Sequence, residues 1–410
     1  MLNPFRGFDS EERGILLISS TCHFLSHMFI LVFPALTMPL VNDFGMPLED
    51  VVKISFLMYL LYGLCALPVG LIVDRWEARS MLLAGLGGMG AGLVLAGIAH
   101  HPRTLALSFM LVGIGASIYH PAGLSLISHT IQKRGHALAV NGVFGNLGIC
   151  SAPFFTGILT WAFSWRWAVI ILGCVSIAAA LAMSPLRMNE GRRRIEVPEQ
   201  SSAVDRMKYF LILCLALVLG GLAYRGNMVL LPAYLELKTS FFQQLIQSLS
   251  FIQLQGTKTL AATLLTSLVL FTGIFGQLLG GKIADRYDLR FGYLLVHALS
   301  VPFLLLMAFT TNYLLALCAA LYAFFNFGTQ PLENSLIAAL TPARWRSTSF
   351  AVKFILNFGI GSSVVYIIGA ITSAYSLERV YVFLAGVASL LVLSVVWLII
   401  ASRKTTALKN

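Results

Sequence analysis

Gly70-Leu-Ile-Val-Asp74-Arg75-Trp-Glu-Ala-Arg79 is answered, 211 residues later, by Gly281-Lys-Ile-Ala-Asp285-Arg286-Tyr-Asp-Leu-Arg290. Glycine, aspartate and both arginines keep their spacing. Each copy closes a long apolar run and is followed at once by another. A glycine admits close helix approach, and the Asp and Arg side chains are expected to form a polar clasp in the short turn. In a chain of 410 residues, an offset of 211 makes the second half a copy of the first.

Other segments repeat at nearly the same distance. Pro121-Ala-Gly-Leu-Ser-Leu-Ile127 answers Pro331-Leu-Glu-Asn-Ser-Leu-Ile337 at 210, and Asn146-Leu-Gly-Ile-Cys-Ser151 answers Asn357-Phe-Gly-Ile-Gly-Ser362 at 211. His27-Met28 answers Asn227-Met228 at 200, and Pro34-Ala35 answers Pro232-Ala233 at 198. The change of offset places an insertion in the second half, where Phe241, Phe242, Leu245, Ile246 and Leu249 recur at helical spacing opposite Gln243, Gln244, Gln247 and Ser248. This pattern predicts a short helix lying on the outer interface, with a mobile lid as the alternative.

The chain is 58% hydrophobic and 11% charged, against about 25% charged in soluble domains. Apolar runs of membrane-crossing length fall at 14–38, 51–73, 80–99, 103–128, 136–160, 166–184, 209–235, 259–282, 291–310, 313–338, 348–371 and 379–401. The fold class is therefore an all-α polytopic membrane protein with twelve transmembrane helices in two six-helix bundles. Residues 1–184 and 209–410 are the bundles and 185–208 the linker. The first run follows Arg6, Glu11, Glu12 and Arg13 with no small-residue cleavage site, so it is expected to be a retained span.

A net charge of +11 raises the question of nucleic acid, but most Lys and Arg flank the spans on one side, including Arg192-Arg193-Arg194 in the linker. That asymmetry predicts cytoplasmic termini and a cytoplasmic linker, and no nucleic-acid partner. Cys22, Cys65, Cys150, Cys174, Cys214 and Cys318 are scattered in apolar runs without a CxxC pair. They read as packing residues; no metal site and no cofactor are expected.

The repeated decapeptide resembles the loop signature of the major facilitator superfamily of transporters. This superfamily is itself a standard instance of parallel six-span repeats, and the likeness covers about 15–400. The resemblance implies gate roles for Gly70, Asp74, Arg75, Arg79, Gly281, Asp285, Arg286 and Arg290, made and broken during alternating access. It also implies a cavity built mainly from spans 1, 4, 7 and 10. Ser117-Ile-Tyr-His120-Pro121, Gly135-His136 and Asn146-Leu-Gly148 are similar to the fosmidomycin-resistance group of bacterial drug exporters. That group carries acids where His27 and Ala122 stand here, and Phe109 stands where many drug–proton antiporters have an arginine. Gly148, Ala152, Pro153 and Gly157 in span 5 resemble the Gly-Pro motif of antiporters, which favours export; Pro removes a backbone donor and small residues admit close packing.

Ionisable groups inside a membrane need a reason, at roughly 2.5–3.5 kcal/mol each on insertion scales. His23 and His27 share a face of span 1 near mid-membrane, and Arg225 and Asn227 lie at similar depth in span 7. His120 is placed in the cytoplasmic third of span 4. Asn326, Gln330 and Glu333 form a stripe on span 10, and Lys353 and Asn357 share a face of span 11. Glu333 and Lys353 read either as a structural ion pair or as working groups. On the functional alternative, Glu333 exchanges protons, assisted by His27 or His120, while Arg225 binds an anionic or polar group.

The expected function is secondary transport of a small organic molecule, by proton-coupled efflux. An uptake symporter or organic-anion exchanger is the alternative. Partners are the substrate, protons and the bilayer of the cell inner membrane, around a monomer. No HExxH, GxSxG or Walker motif appears, so neither an enzyme nor an ATP-driven pump is expected.

Overall fold

Asp9 opens the first helix: its side chain accepts from Glu12 N–H at 2.8 Å while the Glu12 carboxylate accepts from Asp9 N–H at 3.2 Å. This reciprocal capping box satisfies two otherwise orphaned donors. The computed structural model describes residues 7–73, 76–186, 206–248, 256–342 and 345–403, and the described residues contain helices and turns but no strand.

Span 1 comprises α1 (Ser10–Ile30) and α2 (Val32–Phe44), the latter with Pro39 inside it. Span 2 is broken into α3 (Leu48–Ile54), α4 (Phe56–Leu64) and α5 (Ala66–Val73). Span 3 is α6 (Ala78–Gly97), and span 4 is α7 (Pro102–Ser117) with α8 (Tyr119–Thr130). Spans 5 and 6 are α9 (Arg134–Ala162) and α10 (Trp165–Met183).

The second half begins with span 7, α11 (Met207–Lys238), followed by the short α12 (Phe241–Gln247). That helix occupies the insertion expected from the change of repeat offset, with the Phe241 ring 4.0 Å from that of Tyr313. Spans 8, 9 and 10 are α13 (Thr257–Arg286), α14 (Leu289–Leu306) and α15 (Asn312–Leu340). Span 11 starts as α16 (Arg346–Phe354), loosens into a π turn at Ile355–Gly359, tightens to a 3₁₀ turn at Ile360–Ser363 and continues as α17 (Val364–Ala374). Span 12 is α18 (Leu377–Ala401). Twelve helical spans among the described residues are long and apolar enough to cross a membrane.

The chain divides into two compact units, Met1–Leu36 with Ile54–Glu196 and Thr37–Lys53 with Val197–Asn410. The segment Thr37–Lys53, expected with the first half, groups with the second unit. There Ser373 Oγ donates to Glu49 Oε1 at 3.4 Å, and Lys53 Cε lies 2.7 Å from where a side chain on Gly369 would begin. The expected linker, 185–208, lies mostly outside the described residues.

Small residues set the packing within each unit, where apolar side chains gain little from leaving lipid. In the second unit α13 and α15 pack extensively, and Gly276 and Gly280, four residues apart, rest on the Phe324 and Gly328 carbonyls so closely that a Cβ would collide with each. In the first unit Gly148 lies against the Phe24 carbonyl of α1 in the same way. Ala152, Pro153 and Gly157 are buried on the same helix.

Candidate functional site

Three imidazoles meet in the first unit. His23 and His27 come from α1 and His120 from α8, and one ring nitrogen of each lies within 4.8 Å of the others. His27 Nε2 is 3.2 Å from His120 Nε2, and the His23 ring is edge-on to both at 4.6 and 5.4 Å between centroids. His23 is buried, whereas His27 and His120 are half-buried. The contacts bring His120 of span 4 level with His23 and His27 of span 1.

A polar shell fixes His23. Its Nδ1 is 2.9 Å from both the Asn141 carbonyl oxygen and Asn141 Oδ1. A backbone carbonyl only accepts, so Nδ1 carries the proton and Nε2 is left as the acceptor of the ring. Tyr119 OH donates to Asn141 Oδ1 at 2.6 Å and stacks on His23 at 4.4 Å; Asn141 Nδ2 donates to Ser20 Oγ at 3.4 Å. The ring fits because residue 145 is glycine: any Cβ there would strike the imidazole. Asn141 and Tyr119 were not anticipated. A lone Asn in an apolar span and the Tyr beside His120 were the only signals.

The second unit holds a charged cluster. Lys353 Nζ lies 2.7 Å from Glu333 Oε1, both side chains one-tenth exposed. Tyr293 OH donates to Glu333 Oε2 at 2.9 Å, Asn357 Nδ2 donates to Oε1 at 3.4 Å, and Lys353 also donates to Asn334 Oδ1 at 2.7 Å. His297 is buried with its ring 4.5 Å from Tyr293. The π turn that contains Asn357 still leaves it and Lys353 on one carboxylate. Tyr293, His297 and Asn334 were missed; the four-residue spacing of Tyr293 and His297 on span 9 was the available signal.

Further along α15, Asn326 Oδ1 accepts from Tyr322 OH at 3.4 Å, and Gln330 is half-buried. The stripe therefore contributes only Glu333 to the ion-pair cluster. Arg225 is 1% exposed, with its guanidinium carbon 5.0 Å from the Phe358 ring centre and 5.9 Å from that of Tyr224. Neighbouring Asn227 is buried, and its Oδ1 accepts no hydrogen bond among the described residues.

The second of the repeated turns differs from the clasp expected of it. Asp74 and Arg75 lie outside the described residues. In the second copy Arg290 pairs with Asp288, not with Asp285: its Nε donates to Oδ1 at 2.9 Å and its Nη2 to Oδ2 at 2.6 Å. Its Nη1 donates to the Ser402 carbonyl at 2.8 Å and to Ser402 Oγ at 2.9 Å. Arg79 likewise donates to the Ser184 carbonyl. Each arginine thus ties the start of the third helix of its half to the end of the sixth, where helix carbonyls lack partners. Asp285 and Arg286 are exposed, Gly281 has open space around its Cα, and a Cβ at Gly70 would meet Pro121 at an ordinary 3.8 Å.

Residues 16–254 match the family model described as Major Facilitator Superfamily. The chain belongs to the Major Facilitator Superfamily. Among curated relatives, a D-galactonate transporter of Escherichia coli O6:H1 is 23% identical over 87% of this chain and 88% of its own length. The fosmidomycin resistance protein of Escherichia coli K12 is 24% identical over 90% and 88%. Among solved structures, a peptide transporter POT in complex with sulfate superimposes with a TM-score of 0.75 at 15% identity, covering 99% of this chain and 97% of that one. An inward-facing bacterial homologue of the human lysosomal transporter Spinster gives 0.69 at 17%, covering 97% and 96%. These structural likenesses establish the fold of this superfamily member, a multi-pass membrane transporter.

Proposed function

We propose that this transporter moves a small polar or anionic organic molecule by alternating access, coupled to protons, in the direction of efflux. Glu333 combines deep burial with a titratable carboxylate held by a cation, and that ion pair with Lys353 carries the proposal. In a poorly solvated site such a pair is bistable. Protonating the carboxylate frees Lys353, and releasing the proton restores the pair. Arg225, buried on α11, supplies the positive group for the substrate. A relative named for D-galactonate, a carboxylate, supports an anionic substrate, and one named for fosmidomycin resistance supports export. The protein acts as a monomer in the inner membrane, with both termini and the linker in the cytoplasm, as the one-sided distribution of Lys and Arg supports.

Glu333→Gln in proteoliposomes tests the coupling. Uphill flux driven by an imposed pH gradient should fall to background, while substrate counterflow, which needs no net proton movement, persists. Undiminished uphill flux in the variant refutes the role of Glu333. The second reading, uptake symport or anion exchange, is favoured by the positive balance of Arg225 and Lys353 over Glu333. It predicts accumulation in vesicles on the side the protons enter, the reverse of efflux.

A further inference from the structure

We infer that His23, His27 and His120 form a binding site for a late first-row divalent transition-metal ion such as Zn(II), Ni(II) or Cu(II). The donor set argues for this class. Three imidazoles suit borderline cations, whereas Mg(II) and Ca(II) want oxygen ligands, and the group contains no carboxylate. The geometry argues for it too. At a Zn–N distance of about 2.0–2.1 Å, two imidazoles on a tetrahedral ion stand about 3.3 Å apart; His27 Nε2 and His120 Nε2 are 3.2 Å apart.

The surroundings are those of a built ligand. His23 offers Nε2 because Nδ1 is committed to the Asn141 carbonyl and Oδ1, the backing that metal-bound histidines ordinarily have. Gly145 gives the ring its room. His27 and His120 are half-buried, so an ion can reach them, while buried His23 forms the floor.

Three neutral ligands leave at least one coordination position open and both positive charges uncompensated. The ion therefore arrives either as the aqua ion, finished by water or a small anion, or inside an organic chelate that supplies the remaining donors. Both present the same metal to the same imidazoles. The site goes beyond the transport mechanism proposed above and does not depend on it.

The purified full-length protein is titrated with Co(II), read by visible absorption, and with Zn(II) in competition with a colorimetric chelator. One equivalent per chain is expected. His27→Gln and His120→Gln should each weaken binding at least about 100-fold and Gly145→Ala at least about tenfold, the scale at which lost ligands and their backing act. His129→Gln, exposed on α8, should bind as the wild type does. Gel filtration and metal-free melting identify a variant that fails to fold, in which case His120→Asn takes its place.

A second arm presents Zn(II) with radiolabelled iminodiacetate, a tridentate chelator. Retention of metal and label together supports the site with a chelate as its source. Retention of zinc alone supports it with the aqua ion. Binding well below one equivalent, or binding unchanged in the histidine variants, overturns the proposal. Flux is not read, so failure here leaves the role of Glu333 standing.

Discussion

Glu333 keeps a charge inside the second unit because three donors converge on it: Lys353, Tyr293 and Asn357. Removing one partner of a buried pair strands the other, at about 3–5 kcal/mol in soluble proteins. Lys353→Met should therefore lower the melting temperature sharply, whereas Glu333→Gln with Lys353→Met should recover most of the loss. A double variant no more stable than the single one would show that the pair contributes little to holding the fold. The pair was legible in the sequence because a charge deep in an apolar span is conspicuous wherever it points. The neutral residues that surround the two clusters were mostly not. Asn141, Tyr119 and His297 are single polar letters in apolar helices, and the same letter serves a lipid-facing surface or a hydrogen-bond network. Only the neighbouring helices decide, and one neighbour of α9 at Asn141, α1, lies more than a hundred residues away in the chain.

At the scale of the helix, hydrophobic length alone placed the spans, and the observed boundaries differ from expectation by a few residues, as caps and fraying turns dictate. The breaks within spans were less accessible. The π turn at Ile355–Gly359 changes the helical period over five residues, too short a stretch to alter an apolar pattern read over two dozen. Close helix contact was partly visible as glycines four apart, but which backbone each one faces was not. Gly280 shows the consequence: Gly280→Leu would drive a side chain into the Gly328 carbonyl. Overpacking costs about 1–3 kcal/mol where the surroundings can yield, and here the obstacle is backbone. A clear fall in melting temperature is expected, and Gly281→Leu, with open space around it, should leave it nearly unchanged. Equal melting of the two variants would contradict the packing described for α13 and α15.

Across the whole molecule, the duplication was read from a decapeptide, and the repeated arginines turn out to do the same job twice. Arg79 reaches the last turn of the sixth span and Arg290 the last turn of the twelfth. What the decapeptide could not convey was the division of labour between its acids, since Asp288, two residues before Arg290, takes the guanidinium and leaves Asp285 exposed. The two positions should consequently fail in different ways. Arg290→Gln should lose about 1.5–3 kcal/mol, the usual worth of hydrogen bonds to a charged group, measured as thermal stability. Asp285→Asn should keep its stability and lower turnover more than substrate affinity. Identical losses in both variants would erase the distinction.

Because every bond of Arg290 stays inside one unit, a stroke that displaces that unit as a body carries the mooring along unbroken. The tie holds the start of span 9 to the end of span 12 within that unit. A covalent cross-link installed in place of the arginine would then pass unnoticed in the transport rate.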